Sequence, residues 1–250
     1  MRKCFYIFFC SLILALVTFP IGARSEQLTV MVLRNSPLMS FYNESGELVG
    51  FNVDVARLLC TLIGAECAIK ETTLAEIIPE VSNGKADFGI ASLTVTPERS
   101  KLVLFTSPYM RGKTVWISKR PINHSKKAKV AAVAGSVQYK WVFEQSTRRH
   151  WDAVSVPFNN DLVQILLAGN ADSVVAPIAT AMQIMQTKEL LYAGYGITAI
   201  DAPEFSGPLS IAVTPSKVDL RNKLNAALGK IKTNGQLDRI NSKYFPFRVF

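Results

Sequence analysis

The chain has 250 residues, 49% of them hydrophobic, and a formal net charge of +9. That length and apolar content support one or two compact domains and exclude a disordered chain. The basic balance raises nucleic acid as a partner. The lysines and arginines are scattered, with local clusters at HSKKAK and STRRHW, and are read as solvated loops and helix faces instead.

The first segment, MRKCFYIFFCSLILALVTFPIGARSEQ, pairs a basic start at Arg2 and Lys3 with an apolar run from Cys4 to Phe19. Pro20, Gly22, Ala23 and Ser25 follow, so residues 1–25 are expected to be a cleaved secretory signal, cut after Ala23 or Ser25, and the mature protein periplasmic. A membrane anchor is the alternative; the run is slightly short and lacks a flanking charge cluster. Cys10 has no small residue before it, which argues against lipid attachment. Removing the signal leaves Cys60 and Cys67. One cysteine pair in an exported protein points to a disulfide, with two free core thiols as the alternative.

From residue 27 the pattern is βαβαβ. LTVMVL (28–33) reads as a strand, Asn43–Gly46 as a turn, and GFNVDVARLLCTLIGA as a helix with Val55, Leu58, Leu59 and Leu62 on one face. CAIKE is a second strand, LAEIIPEVSNG a helix stopped by Asn83-Gly84, and ADFGIAS a third strand. The rhythm restarts after residue 112: KVAAVAG (129–135) is a strand, a helix begins at Ser136, AVSVPF is a strand, DLVQILLAGNA a helix, DSVVAP (172–177) a strand and IATAMQIMQT a helix. The tail adds PLSIAVTP (208–215) and two helical segments broken at Asn234-Gly235. The expected fold is α/β in two lobes, each a mainly parallel sheet flanked by helices, with the tail returning to the first lobe.

Chemistry concentrates in SLTVTPERSKLVLFTSPYM (92–110). Alternation in an extended segment puts Ser92, Thr94 and Thr96 on one side and Leu93 and Val95 on the other. Thr96 reads as a helix N-cap with Pro97 at the first helical position. Arg99 then falls in the first turn, where the helix dipole disfavours a cation. A carboxylate bound by the arginine fork, the free N–H groups of the helix start and the Thr94 hydroxyl would account for it. The alternative is a simple ion pair with a neighbouring glutamate, or solvent. There is no phosphate loop, dinucleotide fingerprint or calcium loop. The two histidines, His124 and His150, are too few and too far apart to supply a zinc site or a serine–histidine triad. No cofactor or metal is expected. An acid–base enzyme built on carboxylates alone stays open.

LTVMVLRNSPLMSFYNESGELVGFNVDVARLL, followed by NGKADFGIASLTVTPERSKLVLFTSPYM, resembles the extracellular solute-binding proteins of family 3, periplasmic amino-acid receptors of ABC importers. The similarity extends through GNADSVV and the tail DLRNKLNAALGKIKTNGQLDRINSKYF. The resemblance implies two Rossmann-like lobes that close on a ligand like a flytrap, with residues 26–111 and 208–250 in lobe 1 and 112–207 in lobe 2. It implies a monomer that meets a small carboxylate and a membrane permease complex, with no nucleic acid. It also implies a Cys60–Cys67 disulfide. Residue by residue, Arg99 matches the arginine that grips the ligand carboxylate, Thr94 the assisting hydroxyl, and Ser92 a position offering backbone groups. Ser136, with Val137 and Gln138, matches the second-lobe contact made on closure, and Leu74 an apolar wall. Gly50, Phe51 and Asp54 match structural positions.

The chain departs from the family at Pro177, five residues after Asp172, where the family places an ammonium-binding aspartate. Ser36 stands where many members carry a stacking aromatic, and Asn52 replaces an acid. Three readings follow: another acceptor, such as Asp161 or Asp201, meets the ammonium; the ligand is a carboxylate without an ammonium; or the domain is a sensor or interaction flytrap. MRGKTVWI also resembles cyclohexadienyl-dehydratase-like members, but that chemistry needs a general acid where Pro177 stands, so a binding protein rather than an enzyme is expected.

Overall fold

The computed structural model describes residues 26–119, 127–200 and 207–250. The expected signal segment, His124 and Asp201 lie outside the described residues. The first half forms β1 (Glu26–Leu33), the β2 (Phe41–Tyr42) and β3 (Leu48–Val49) hairpin, α1 (Phe51–Ile63), β4 (Ala65–Thr72) and α2 (Leu74–Ser82). Then come β5 (Phe88–Thr94), α3 (Pro97–Ser100), β6 (Leu104–Phe105) and β7 (Met110–Gly112). Next are β8 (Thr114–Ser118), β9 (Ala128–Val133), α4 (Val137–Arg149), β10 (Trp151–Val156), α5 (Asp161–Leu167), β11 (Ser173–Pro177), α6 (Ile178–Ile184), α7 (Lys188–Tyr192) and β12 (Gly196–Ala199). β13 (Gly207–Val213), α8 (Val218–Thr233) and α9 (Gln236–Tyr244) complete the chain.

These strands make two lobes, each built on one sheet. The first runs β4-β1-β5-β13-β6, with β7 also on β13; the second runs β10-β9-β11-β8-β12. β4, β1 and β5 are parallel, as are β10, β9 and β11, which is the expected parallel core. The strands near the crossings add antiparallel pairs: β13 against β5, and β8 against β11. β8, β12 and α7 were not legible in the sequence pattern.

The lobes repeat one device. Asp87, just before β5, accepts the Thr29 N–H at 2.7 Å, and Asp172, just before β11, accepts the Lys129 N–H at 2.7 Å. Each carboxylate thereby locks the start of a central strand to its parallel neighbour, and so fixes where that strand's C-terminal end emerges. Those ends carry Thr94 and Pro177.

Helix ends follow their sequence signals. Thr73 and Glu76 form a capping box at α2, and Thr96 caps α3 by accepting the Arg99 N–H. Gly50, before α1, has φ 132, and a Cβ there would lie 2.4 Å from the Met39 carbonyl oxygen, so the residue must be glycine. Asp54 accepts from Lys243 and from the Tyr244 hydroxyl, tying α1 to α9. On α1, Val55 and Leu59 are fully buried, whereas Leu58 and Leu62 pack at the core's margin.

The STRRHW cluster departs from the solvated face expected of it. Arg149 lies over Trp141 and Trp151, 5.6 and 5.1 Å from the ring centroids, and Trp116 packs edge-on to both. All three tryptophans of the chain therefore sit in one cluster under α4.

Cys60 and Cys67 are joined by a disulfide between α1 and β4. With a sequence separation of seven it closes a short loop. Chain-entropy reasoning puts its contribution at about 2–3 kcal/mol. Denaturant titration of the Cys60→Ser, Cys67→Ser double variant is expected to show a loss of that size.

Candidate functional site

A cavity of about 540 Å³ lies between the sheet ends of the two lobes, within the size range of small-molecule sites. Arg99, Thr94, Ser92, Ser136, Val137, Gln138, Leu74 and Pro177 all line it. Its apolar walls come from both lobes. Leu74, the first residue of α2, packs against the hydrophobic clusters of both.

Arg99 sits at the seam. Its Nη1 donates to the Thr94 carbonyl at 2.9 Å and its Nη2 to the Gly135 carbonyl at 2.9 Å, so the side chain spans the cleft. Burial pulls its pKa below the usual arginine range, opposed by the charge of nearby Glu98. The guanidinium has five N–H donors, and these two bonds leave donors over for a ligand. Two further bonds cross the cleft: Asn159 Nδ2 donates to Ser36 Oγ at 2.8 Å, and Lys140 Nζ meets Glu98 Oε1 at 3.0 Å.

On the second lobe, Ser136 caps α4 by accepting the Tyr139 N–H at 2.9 Å. The N–H groups of Val137 and Gln138 in that first turn have no intrahelical partner, and the helix dipole adds partial positive charge. Gln138 Nε2 donates to the Thr114 hydroxyl at 2.8 Å, which fixes the amide beside the cavity.

The floor is a buried polar chain. Tyr109, fully buried, donates its hydroxyl to Asn52 Oδ1 at 2.7 Å and accepts the Ser92 N–H at 2.9 Å. Burial pushes the Tyr109 hydroxyl pKa far up, so it stays a neutral donor. Ser92 has φ 53, in the left-handed region. Its alternation with Thr94 and Thr96 is therefore broken: β5 bulges against β13, Thr96 turns to capping, and Val95 is exposed. Of the Ser92 backbone groups, the N–H is taken by the Tyr109 hydroxyl, which leaves the carbonyl.

Against this geometry, the family description "Bacterial extracellular solute-binding proteins, family 3" matches residues 28–247. The chain belongs to that family. It is 30% identical to ABC transporter arginine-binding protein 1 of Escherichia coli (strain K12), over 92% of this chain and 96% of that one. It is 27% identical to the histidine-binding periplasmic protein of the same strain, over 83% of each. A solved structure described as an ancestral arginine-binding protein bound to arginine matches with TM-score 0.77 and 30% identity, covering 88% of this chain and 98% of that one.

Within the family frame, several cavity residues carried no signal in the sequence. Asn159 and Lys113 come from loops, and Phe247 to Phe250 approach from beyond α9, held there by the Val249 carbonyl accepting the Arg111 N–H at 2.7 Å. Asn52, read as a minor replacement, is the buried acceptor for Tyr109. Asp161, a candidate ammonium acceptor, does not line the cavity. Its carboxylate accepts the Phe158 N–H at 3.1 Å within its own turn.

The Glu98–Lys140 bridge gives a pH signature. Glu98 is held down to about 2 by its own backbone N–H, by Lys140 and by Thr96. A carboxyl depressed below its ordinary 4.5 stabilises the fold above that value and loses the contribution as pH falls toward about 2. Both groups are more than half exposed, so the effect is small. Melting of wild type and Glu98→Gln is expected to differ slightly at pH 6 and to converge toward pH 2.

Proposed function

We propose that the protein is the periplasmic receptor of an ABC importer, exported by a cleaved signal in residues 1–25, which captures a small carboxylate-bearing solute by closure of its two lobes. The carrying observation is Arg99, a half-buried cation at the cavity seam whose two hydrogen bonds go to carbonyls of opposite lobes. A carboxylate docks first on Arg99 and Thr94 of lobe 1 (26–111 and 208–250). Lobe 2 (112–207) then adds the Ser136 hydroxyl and the start of α4, contacts that exist only when the lobes meet. Such differential contacts are what shift an open–closed population. The relatives are named for arginine and histidine, which both carry such a carboxylate. The closed form is the one a membrane permease would read.

The test is a thermal-shift screen of purified protein against amino acids and organic acids, with Arg99→Ala alongside. A bound ligand raises the melting temperature by mass action. A carboxylate that stabilises wild type but not Arg99→Ala supports the reading; hits that act equally on both contradict it. A prephenate or arogenate turnover assay tests the dehydratase alternative, and no turnover is expected.

A further inference from the structure

The charge inventory of the cavity goes further than the receptor reading on which it rests. Among the described residues, no aspartate or glutamate side chain lines the cavity, whereas Arg99, Arg111, Lys113 and Arg248 do. Arg248 is neutralised by Asp238, with Nε to Oδ1 at 3.0 Å. The hydrogen bonds of Arg99 go to carbonyls, with the Glu98 charge nearby, and among the described residues the side chains of Arg111 and Lys113 form no ion pair. The cavity lining therefore carries basic residues and, among the described residues, no acidic one.

The neutral groups in that space carry no charge to offset an ammonium. Gln138 and Asn159 each donate an amide N–H, in bonds of 2.8 Å, to the Thr114 and Ser36 hydroxyls, and offer only their amide oxygens as acceptors. The end of β11 supplies Pro177, with neither a charge nor an N–H. Leu33, Met39, Leu74, Leu162 and Ile178 provide the walls. An ammonium buried here would lose its hydration, meet no counter-charge and be repelled by the cations. A carboxylate on an apolar body also loses hydration, but it gains charge-assisted hydrogen bonds from Arg99.

We propose that the ligand is an organic acid without an ammonium group, its carboxylate on Arg99 and an apolar body against the leucine, methionine and isoleucine walls. The amino acids named for the relatives are then poor ligands of this chain. Arginine is the least suited, since it brings two cations into the space.

The test is calorimetric titration of the purified protein with matched pairs that differ only in the amine: L-phenylalanine and 3-phenylpropionate, L-leucine and 4-methylpentanoate, L-glutamate and glutarate, L-arginine and 5-guanidinopentanoate. The expected result is that the tightest binder lacks the amine and exceeds its amino-acid partner by about tenfold or more in Kd. An amino acid that binds more tightly than its partner overturns the inference and leaves the receptor reading standing. Binding by no member of any pair overturns both. Pro177→Asp supplies a second arm. Pro177 already opens α6 as an uncapped N-cap, a position aspartate favours, so the variant is expected to fold. It is expected to shift preference toward the amino acid of each pair by about tenfold. Unchanged preference would place the β11 end away from the ligand and contradict the proposal.

Discussion

Replacing Arg99 with alanine is expected to abolish measurable binding of any carboxylate while leaving the unliganded fold nearly as stable. Truncating one partner of a buried charged hydrogen-bonded pair costs about 2–5 kcal/mol, roughly 30-fold to several thousandfold in Kd. The fold is spared because Arg99 sits on the four-residue α3 at the cleft and belongs to none of the hydrophobic clusters. Its removal leaves only the Thr94 and Gly135 carbonyls without that donor, both at a wet cleft where water can replace it. Arg99→Lys is expected to recover only part of the loss, because a single ammonium lacks the planar fork. Titration calorimetry and a denaturant melt, run on the same preparations, separate the two effects.

Gly135→Ala is expected to hold the lobes apart. A Cβ at Gly135 would lie 2.6 Å from Ala75 Cα and 2.8 Å from Ala75 N, and both are backbone atoms of the opposite lobe that cannot swing aside. Gly135 also has φ 76, so alanine strains the turn before α4 by about 1 kcal/mol even without the clash. Gly169 has φ 68 in the same lobe with nothing within 4 Å of its hypothetical Cβ, so Gly169→Ala carries the strain alone. Both variants are expected to lose similar stability, but only Gly135→Ala should lose affinity, by about tenfold to a hundredfold as the closed population falls. Small-angle scattering with saturating ligand is expected to show compaction for Gly169→Ala and wild type, and little for Gly135→Ala.

Much of this molecule was legible from its residues because local signals and tertiary structure agree. The βαβαβ rhythm, the Thr96-Pro97 helix start and the Ser136 helix start each state a preference that the fold keeps. Elements without a pattern of their own were not legible. β8, within MRGKTVWIS, is apolar because it is buried in the second sheet, and a short apolar run does not reveal its partner. Ser92 was misread because its backbone is set by a long-range bond from its N–H to Tyr109, which no local alternation encodes. The same holds for the cavity. Arg99 announced itself by an unfavourable place in a helix, whereas Asn159, Lys113 and the 247–250 segment reach the site through loops whose course only tertiary structure fixes.

The most direct measurement is a crystal structure of the protein with its tightest-binding carboxylate. The expected complex has both carboxylate oxygens within hydrogen-bond distance of the Arg99 guanidinium, the Thr94 hydroxyl beside them and the first turn of α4 closing over them. A ligand held elsewhere, or one with its carboxylate turned away from Arg99, would contradict capture at this cleft.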